Sequence, residues 1–187
     1  MRADAQNHRR RLIAAAAKVM RERGHTVALQ EVADAAGLGR GTLYRHFSDR
    51  EALIIAVIEH ELDAADELIA RCSDDRAMFF TFLDSRSASA AVFIPALLSL
   101  DSERLHGFFV RMRPRYDRLL SVVVERARRA GLLRPDYTTS DLSLTIELLS
   151  LARERCEGGD GGGQLPARLV DFLMHGIGLP EGAKGGR

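Results

Sequence analysis

A chain of 187 residues and 20.7 kDa, 46% hydrophobic and 28% charged, has the size and composition of one domain, or of two small layers sharing a core. That excludes a disordered chain. The net charge of +1 excludes a uniformly basic nucleic-acid coat, yet residues 1–50 hold 10 Lys+Arg against 5 Asp+Glu, a net of +5, while the remainder holds 17 against 21, a net of −4. A basic first quarter on a mildly acidic body points one end of the molecule at something anionic.

The first periodic stretch, residues 7–23, places Leu12, Ile13, Ala16, Val19 and Met20 on one helical stripe, and Gly24 follows as a stop. Arg9-Arg10-Arg11 before Leu12-Ile13-Ala14-Ala15-Ala16-Ala17 imitates a signal peptide. The imitation fails at Lys18 and at Arg21-Glu22-Arg23, where a cleavage region belongs. Residues 29–36 put Leu29, Val32, Ala33 and Ala36 on one face. Gly37-Leu38-Gly39 breaks that pattern, and a short helix is expected from Arg40 to Phe47.

Ser48-Asp49-Arg50-Glu51 reads as a capping box, with Ser48 as the cap and Glu51 reaching back to it. The helix it opens is expected to run to Ala70, with Leu53, Val57, Ile58, Leu62, Ala65 and Ile69 inward. Ser73-Asp74-Asp75 reads as the next cap. Helices are then expected at 74–84, 89–100, 102–112 and 115–130, with Pro95 interrupting the second, Pro114 separating the last two and Gly131 ending the fourth. The longest apolar-leaning run, Ala88 to Leu100, is 13 residues broken by Ser89, Pro95 and Ser99, short of the roughly 20 a spanning helix needs. The last helices are expected at 140–155 and 165–177, around a flexible loop at Gly158–Gly163, with a disordered tail beyond Pro180. No alternating strand pattern is present. The predicted fold class is all-α.

Two short helices joined by a glycine turn over residues 29–47 form a helix-turn-helix, which residues 7–23 close as a third helix. Leu29, Val32, Ala36, Leu38, Leu43 and Phe47 supply the shared core. The outward face of the second helix carries Arg40, Thr42, Tyr44, Arg45 and His46, donors of the kinds that meet phosphates and base edges. A helical hairpin with a solvated face has the same composition, so the pattern alone does not decide.

The string Gly37-Leu38-Gly39-Arg40-Gly41-Thr42-Leu43-Tyr44-Arg45-His46-Phe47, followed by Arg50-Glu51-Ala52-Leu53, resembles the DNA-binding signature of the TetR/AcrR family of transcriptional regulators. The match is specific over residues 31–53, and the all-helical remainder fits the family along the whole chain. Arg134-Pro135-Asp136 after Gly131 resembles the carboxyl-terminal domain of one branch. The resemblance implies base-reading positions at Gln30 and Arg40 and phosphate contacts from Thr42, Tyr44 and His46, beside Arg45. Leu43 divides between core and a thymine methyl. Arg50 stands where the family usually has Lys, keeping a charge for a phosphate with a fork in place of a point charge. The Ser or Thr cap usual before the first hairpin helix is missing, since Val27-Ala28 sits there.

Other chemistry has little support. The six histidines lack zinc spacing, Cys72 and Cys156 form neither a disulfide scaffold nor a Cys-x-x-Cys pair, and the glycine run lacks a following Lys-Ser/Thr. No metal, no cofactor and no enzymatic activity are expected. Phe79, Phe82, Phe93, Phe108, Phe109 and Tyr116, with Met112, make either a plain core or, as the resemblance implies, a ligand cavity. The cavity version is lined by Phe82, Phe93, Phe109 and Met112 and suits a largely apolar effector.

The expected protein is therefore a cytoplasmic, ligand-responsive repressor that binds a near-palindromic double-stranded DNA operator as a homodimer, with no membrane partner. Residues 1–47 bind DNA, 48–180 sense ligand and dimerise, and 181–187 are a tail. Leu142, Leu144, Ile146, Leu148, Leu149 and Leu151 cover more than one stripe, which places the dimer contact on helices 140–155 and 165–177. The rival readings are a helical protein-interaction module and a small-molecule carrier without specific DNA binding.

Overall fold

The computed structural model describes residues 2–156, with side chains from residue 4 to residue 153. Over that span the chain is all helix and turn: α1 (Arg2–Arg23), α2 (Leu29–Ala35), α3 (Arg40–His46), α4 (Arg50–Arg71), α5 (Asp75–Leu98), α6 (Ser102–Arg129) and α7 (Thr139–Cys156). The helix expected at 165–177, the glycine run and the tail lie outside the described residues. Among the described residues two compact units form, one from residues 2–64 with Val92–Val110 and the other from Ala65–Ala91 with residues 111–156. The domain boundary expected at residue 48 falls inside the first.

In the first unit α1, α2 and α3 pack mutually. Leu12, Ala16 and Met20 of α1, Val32 and Ala33 of α2, and Leu43 of α3 are buried, as is Phe47 just after it. The turn after α2 is a Schellman closure: the Gly37 N–H donates to Asp34 O at 2.9 Å and the Leu38 N–H to Ala33 O at 3.0 Å. Gly37 takes φ +62°, and a Cβ there would lie 3.1 Å from Arg11 Nη2. Both the left-handed backbone and the close guanidinium therefore select glycine. Arg11 is held there by donating to Ala36 O at 2.7 Å. Farther along, Arg21 of α1 pairs at 2.7 Å with the buried Glu61 of α4.

The second unit has its own core, in which Met78, Phe79, Phe82 and Leu83 meet Leu119, Leu120, Val123, Val124 and Ala127, and also Leu133, Tyr137, Leu142, Ile146 and Leu149. Polar braces complete it. Arg126 donates through Nε to Asp75 at 2.5 Å, through Nη1 to Ile69 O at 2.6 Å and through Nη2 to Cys72 O at 2.5 Å. Arg153, almost fully buried, donates Nε to Ser87 Oγ at 3.0 Å and Nη2 to Asp84.

Several expected boundaries move, each for a local reason. The helices expected at 74–84 and 89–100 are one helix, α5. Ser85 and Ser87 fold their hydroxyls onto Phe82 O and Asp84 O, each at 3.1 Å, so serines that suggest a break are absorbed by bonding back to the preceding turn. Pro95 does not interrupt α5; it lies in the last turn, and the helix ends three residues later at Leu98. Likewise Pro114 sits within α6 and does not divide it. Pro114 and Val110, the residue whose carbonyl loses a partner, are both exposed, so the freed carbonyl lies on the solvent side. The α4 cap is Asp49, not Ser48: Asp49 Oδ1 accepts the Ala52 N–H at 2.8 Å while Ser48 Oγ donates to Asp49 at 3.0 Å. A true capping box stands at α7, where Thr138 N–H donates to Asp141 at 2.7 Å and the Asp141 N–H returns to Thr138 Oγ1 at 3.2 Å.

Because α5 is continuous, it contains an 18-residue window of mean hydropathy 1.2, long and apolar enough to cross a membrane by length and composition. Met78, Phe79 and Phe82 are fully buried in a protein core, however, and Asp84 on the same helix accepts from Arg153, as befits a core helix.

Candidate nucleic-acid interface

The site is built on α3, whose register fixes which side chains face out. Leu43 has no exposed surface. It serves the shared core, the first of its two expected roles. With Leu43 inward, Arg40, Tyr44 and Arg45 are exposed, and Thr42 and His46 are half-buried. No carboxylate interrupts α3, so its outer face is positive and rich in donors.

Arg40 and Tyr44 act as a pair. They are four residues apart, the spacing that stacks side chains on one helix face. Arg40 Nη2 donates to Tyr44 Oη at 3.3 Å, and its guanidinium carbon lies 5.4 Å from the ring centroid. The contact holds the fork extended along the face instead of free in solvent. Gln30, on α2, is exposed, and its amide donates to Asp34 Oδ1 one turn on at 2.7 Å. Both expected base readers are thus pre-oriented by a partner on their own helix.

The end of α1 enlarges this surface, which the sequence did not reveal. His8 lies edge-on to His46 with ring centroids 6.5 Å apart, and Arg9 stands 5.2 Å over the Phe47 ring. Two more nitrogen-bearing side chains therefore flank the carboxyl end of α3. The only signal was the run Arg9-Arg10-Arg11, whose spacing from residue 46 is visible only in the fold.

Arg50 has partners within the chain. Its guanidinium donates to His25 O at 2.8 Å, to Thr26 O at 3.5 Å and to Val27 O, clasping the segment that leads into α2. That segment has a weak start: Ala28, the α2 cap, has no side-chain acceptor, and only the returning half of a box is made, by the Ala28 N–H to Glu31 Oε1 at 3.3 Å. Nearby, Arg104 of α6 forks onto Asp49 at 2.8 and 3.0 Å and reaches Glu51 at 3.0 Å. The guanidinium, and secondarily the Ala52 N–H, hold the Asp49 carboxyl far below the usual carboxylate range, and Asp49 in turn raises Arg104. The cap of α4 is thereby kept ionised.

The expected effector-lining residues do not share one environment. Phe82 is fully buried in the core of the second unit, and Met112 belongs to the same unit and is half-buried. Phe93 and Phe109 belong to the first unit. Phe93 is buried, and Phe109 is 49% exposed, edge-on to Phe108 at 5.9 Å.

Residues 12–57 match the family model described as bacterial regulatory proteins, tetR family. An HTH-type transcriptional regulator of Staphylococcus aureus strain USA300 is 37% identical over 76 residues, 40% of this chain and 41% of that protein. The matched stretch therefore spans about two fifths of the curated relative. Over nearly full length, the chain resembles the structure of a TetR transcriptional regulator of Streptomyces coelicolor, at 27% identity, 92% and 99% coverage and a TM-score of 0.64. It resembles a TetR transcription regulatory protein of Mycobacterium vanbaalenii similarly, at 26% identity, 95% and 99% coverage and a TM-score of 0.68.

Proposed function

We propose that the chain is a member of the TetR family of bacterial regulatory proteins, whose model its residues 12–57 match, and acts as a cytoplasmic DNA-binding transcriptional regulator, a homodimeric repressor whose α3 enters the major groove of a near-palindromic operator. The observation that carries this is the outer face of α3: Arg40, Thr42, Tyr44, Arg45 and His46 over a buried Leu43, with no carboxylate among them. Arginine forks suit guanine edges, and hydroxyls, imidazoles and the remaining charge suit phosphates. Arg40 and Gln30 are the proposed base readers. Nothing in this constellation calls for catalysis, a metal or a cofactor.

Dimerisation is supported by α7. Leu142, Ile146 and Leu149 are buried in the second unit, while Leu144, Leu148 and Leu151 are 56%, 58% and 55% exposed on another face. Large leucines at i, i+4 and i+7 left in water form a stripe of the kind a second helix covers. A two-fold dimer then presents two copies of α3 to a two-fold operator.

The ligand response belongs to the same proposal. An effector of largely apolar chemistry lowers DNA affinity only by preferring the conformation that DNA does not bind.

The protein is expected to sediment as a dimer at micromolar concentration and to bind mixed-sequence duplex DNA with a log–log salt slope of roughly −0.9 per neutralised phosphate. A 20.7 kDa monomer overturns the dimer, and binding that ignores salt, or no binding, overturns the DNA reading.

A further inference from the structure

We propose that Arg50 is a positioning residue that stands in for the missing cap of α2, acting on the entry to the helix-turn-helix and not on a DNA phosphate. Three consecutive carbonyls, those of His25, Thr26 and Val27, accept from its guanidinium. They belong to the residues immediately before Ala28, the cap position that lacks a side-chain acceptor. A capping Ser, Thr, Asp or Asn normally fixes the backbone at that point and satisfies one orphan N–H of the first turn. Here Glu31 accepts the Ala28 N–H, and Arg50, which can only donate, takes over the other task of a cap by fixing the path of the incoming chain through its carbonyls.

The geometry needs a fork. One planar guanidinium spreads two nitrogens across three carbonyls, which an ammonium at a single point cannot do. Arginine at a position where a point charge suffices for phosphate, and alanine at a position where a cap is wanted, are thus two halves of one local solution. Arg50 also follows the α4 cap Asp49, so one end of α4 governs how α2, and Gln30 upon it, is presented. The DNA arm of the following test rests on the function proposed above, whereas the exchange arm stands without it.

The test uses the full chain as Arg50→Met, Arg50→Lys, and Arg50→Met combined with Ala28→Asn, a neutral cap. Two quantities are read: amide hydrogen exchange by segment, and affinity for a mixed-sequence duplex across a salt series. In Arg50→Met, exchange over residues 25–33 is expected to quicken about tenfold while α5 and α6 stay as in the wild type. Duplex affinity falls about tenfold with the salt slope unchanged. These match the loss of roughly one charge-assisted hydrogen bond. Ala28→Asn recovers most of both losses, and Arg50→Lys recovers neither in full. A slope shallower by about 0.9 with exchange unchanged makes Arg50 a phosphate contact and overturns the proposal. So does full recovery of affinity by lysine, or exchange quickened throughout the chain. Should the wild type bind no duplex, the DNA reading fails, and the exchange result alone decides for or against Arg50.

Discussion

Phe82→Ala is expected to cost about 3–5 kcal/mol, the range for emptying a buried phenylalanine site, and to lower the melting temperature by on the order of 10 °C. Phe82 has no exposed surface and shares its cluster with Met78, Phe79, Leu120 and Val123. Nothing can collapse into the space without disturbing α5 or α6. Phe109→Ala is the contrasting case. It is 49% exposed and its described aromatic contact is the edge of Phe108, so its removal should cost about 1 kcal/mol or less. Urea denaturation of the two variants separates them. Equal losses would show that Phe109 is as structural as Phe82. An unchanged stability together with an altered response to an apolar effector would assign Phe109 to ligand.

Leu43→Ala is expected to be the most damaging single change on α3, costing about 2–5 kcal/mol. Leu43 lies between the half-buried Thr42 and the exposed Tyr44 on a seven-residue helix and is itself fully buried. A helix so short has little stability of its own and depends on packing. Loss of Leu43 should therefore loosen α3 from α1 and α2 and abolish binding to every DNA sequence alike, with circular dichroism reporting lost helix. If Leu43→Ala instead stays folded and loses preference at a single A·T position, the side chain reads a thymine methyl and the burial argument is wrong.

The helix-turn-helix was legible because each of its signals is local. Gly37 must be glycine for a positive φ, Leu43 and Phe47 must be apolar for the core, and the donors between them are then forced outward. The long helices were legible in period but not in extent. Proline and clustered serines are break signals in a sequence, yet Ser85 and Ser87 bond to their own turn and Pro114 lies where solvent meets the helix. The cap of α4 was displaced by one residue because Ser48 and Asp49 are both competent acceptors. The choice fell to Asp49 through Arg104, 55 residues away. The partners of Arg50 at residues 25–27 are invisible without the fold for the same reason.

Arg40 and Tyr44 need to be read together. Tyr44→Phe removes the oxygen that Arg40 touches at 3.3 Å, so on the proposed roles it should loosen the proposed base reader as well as lose the proposed phosphate donor. The two substitutions are then not additive. For that reason the decisive variant is Arg40→Ala, which leaves the Tyr44 hydroxyl in place.

The central claim is that the outer face of α3 reads DNA, and its most direct test is a titration of wild type and Arg40→Ala against two duplexes. One is the fragment the protein retains best from its own genomic neighbourhood, and the other is a mixed sequence of equal length. On the retained fragment, Arg40→Ala should lose about 1–3 kcal/mol, the worth of one bidentate base contact. On the mixed sequence it should lose far less, so that sequence preference collapses while salt-dependent binding persists. Equal losses on the two duplexes would show that Arg40 only helps hold the backbone, and no loss on either would take α3 out of the interface and contradict the account.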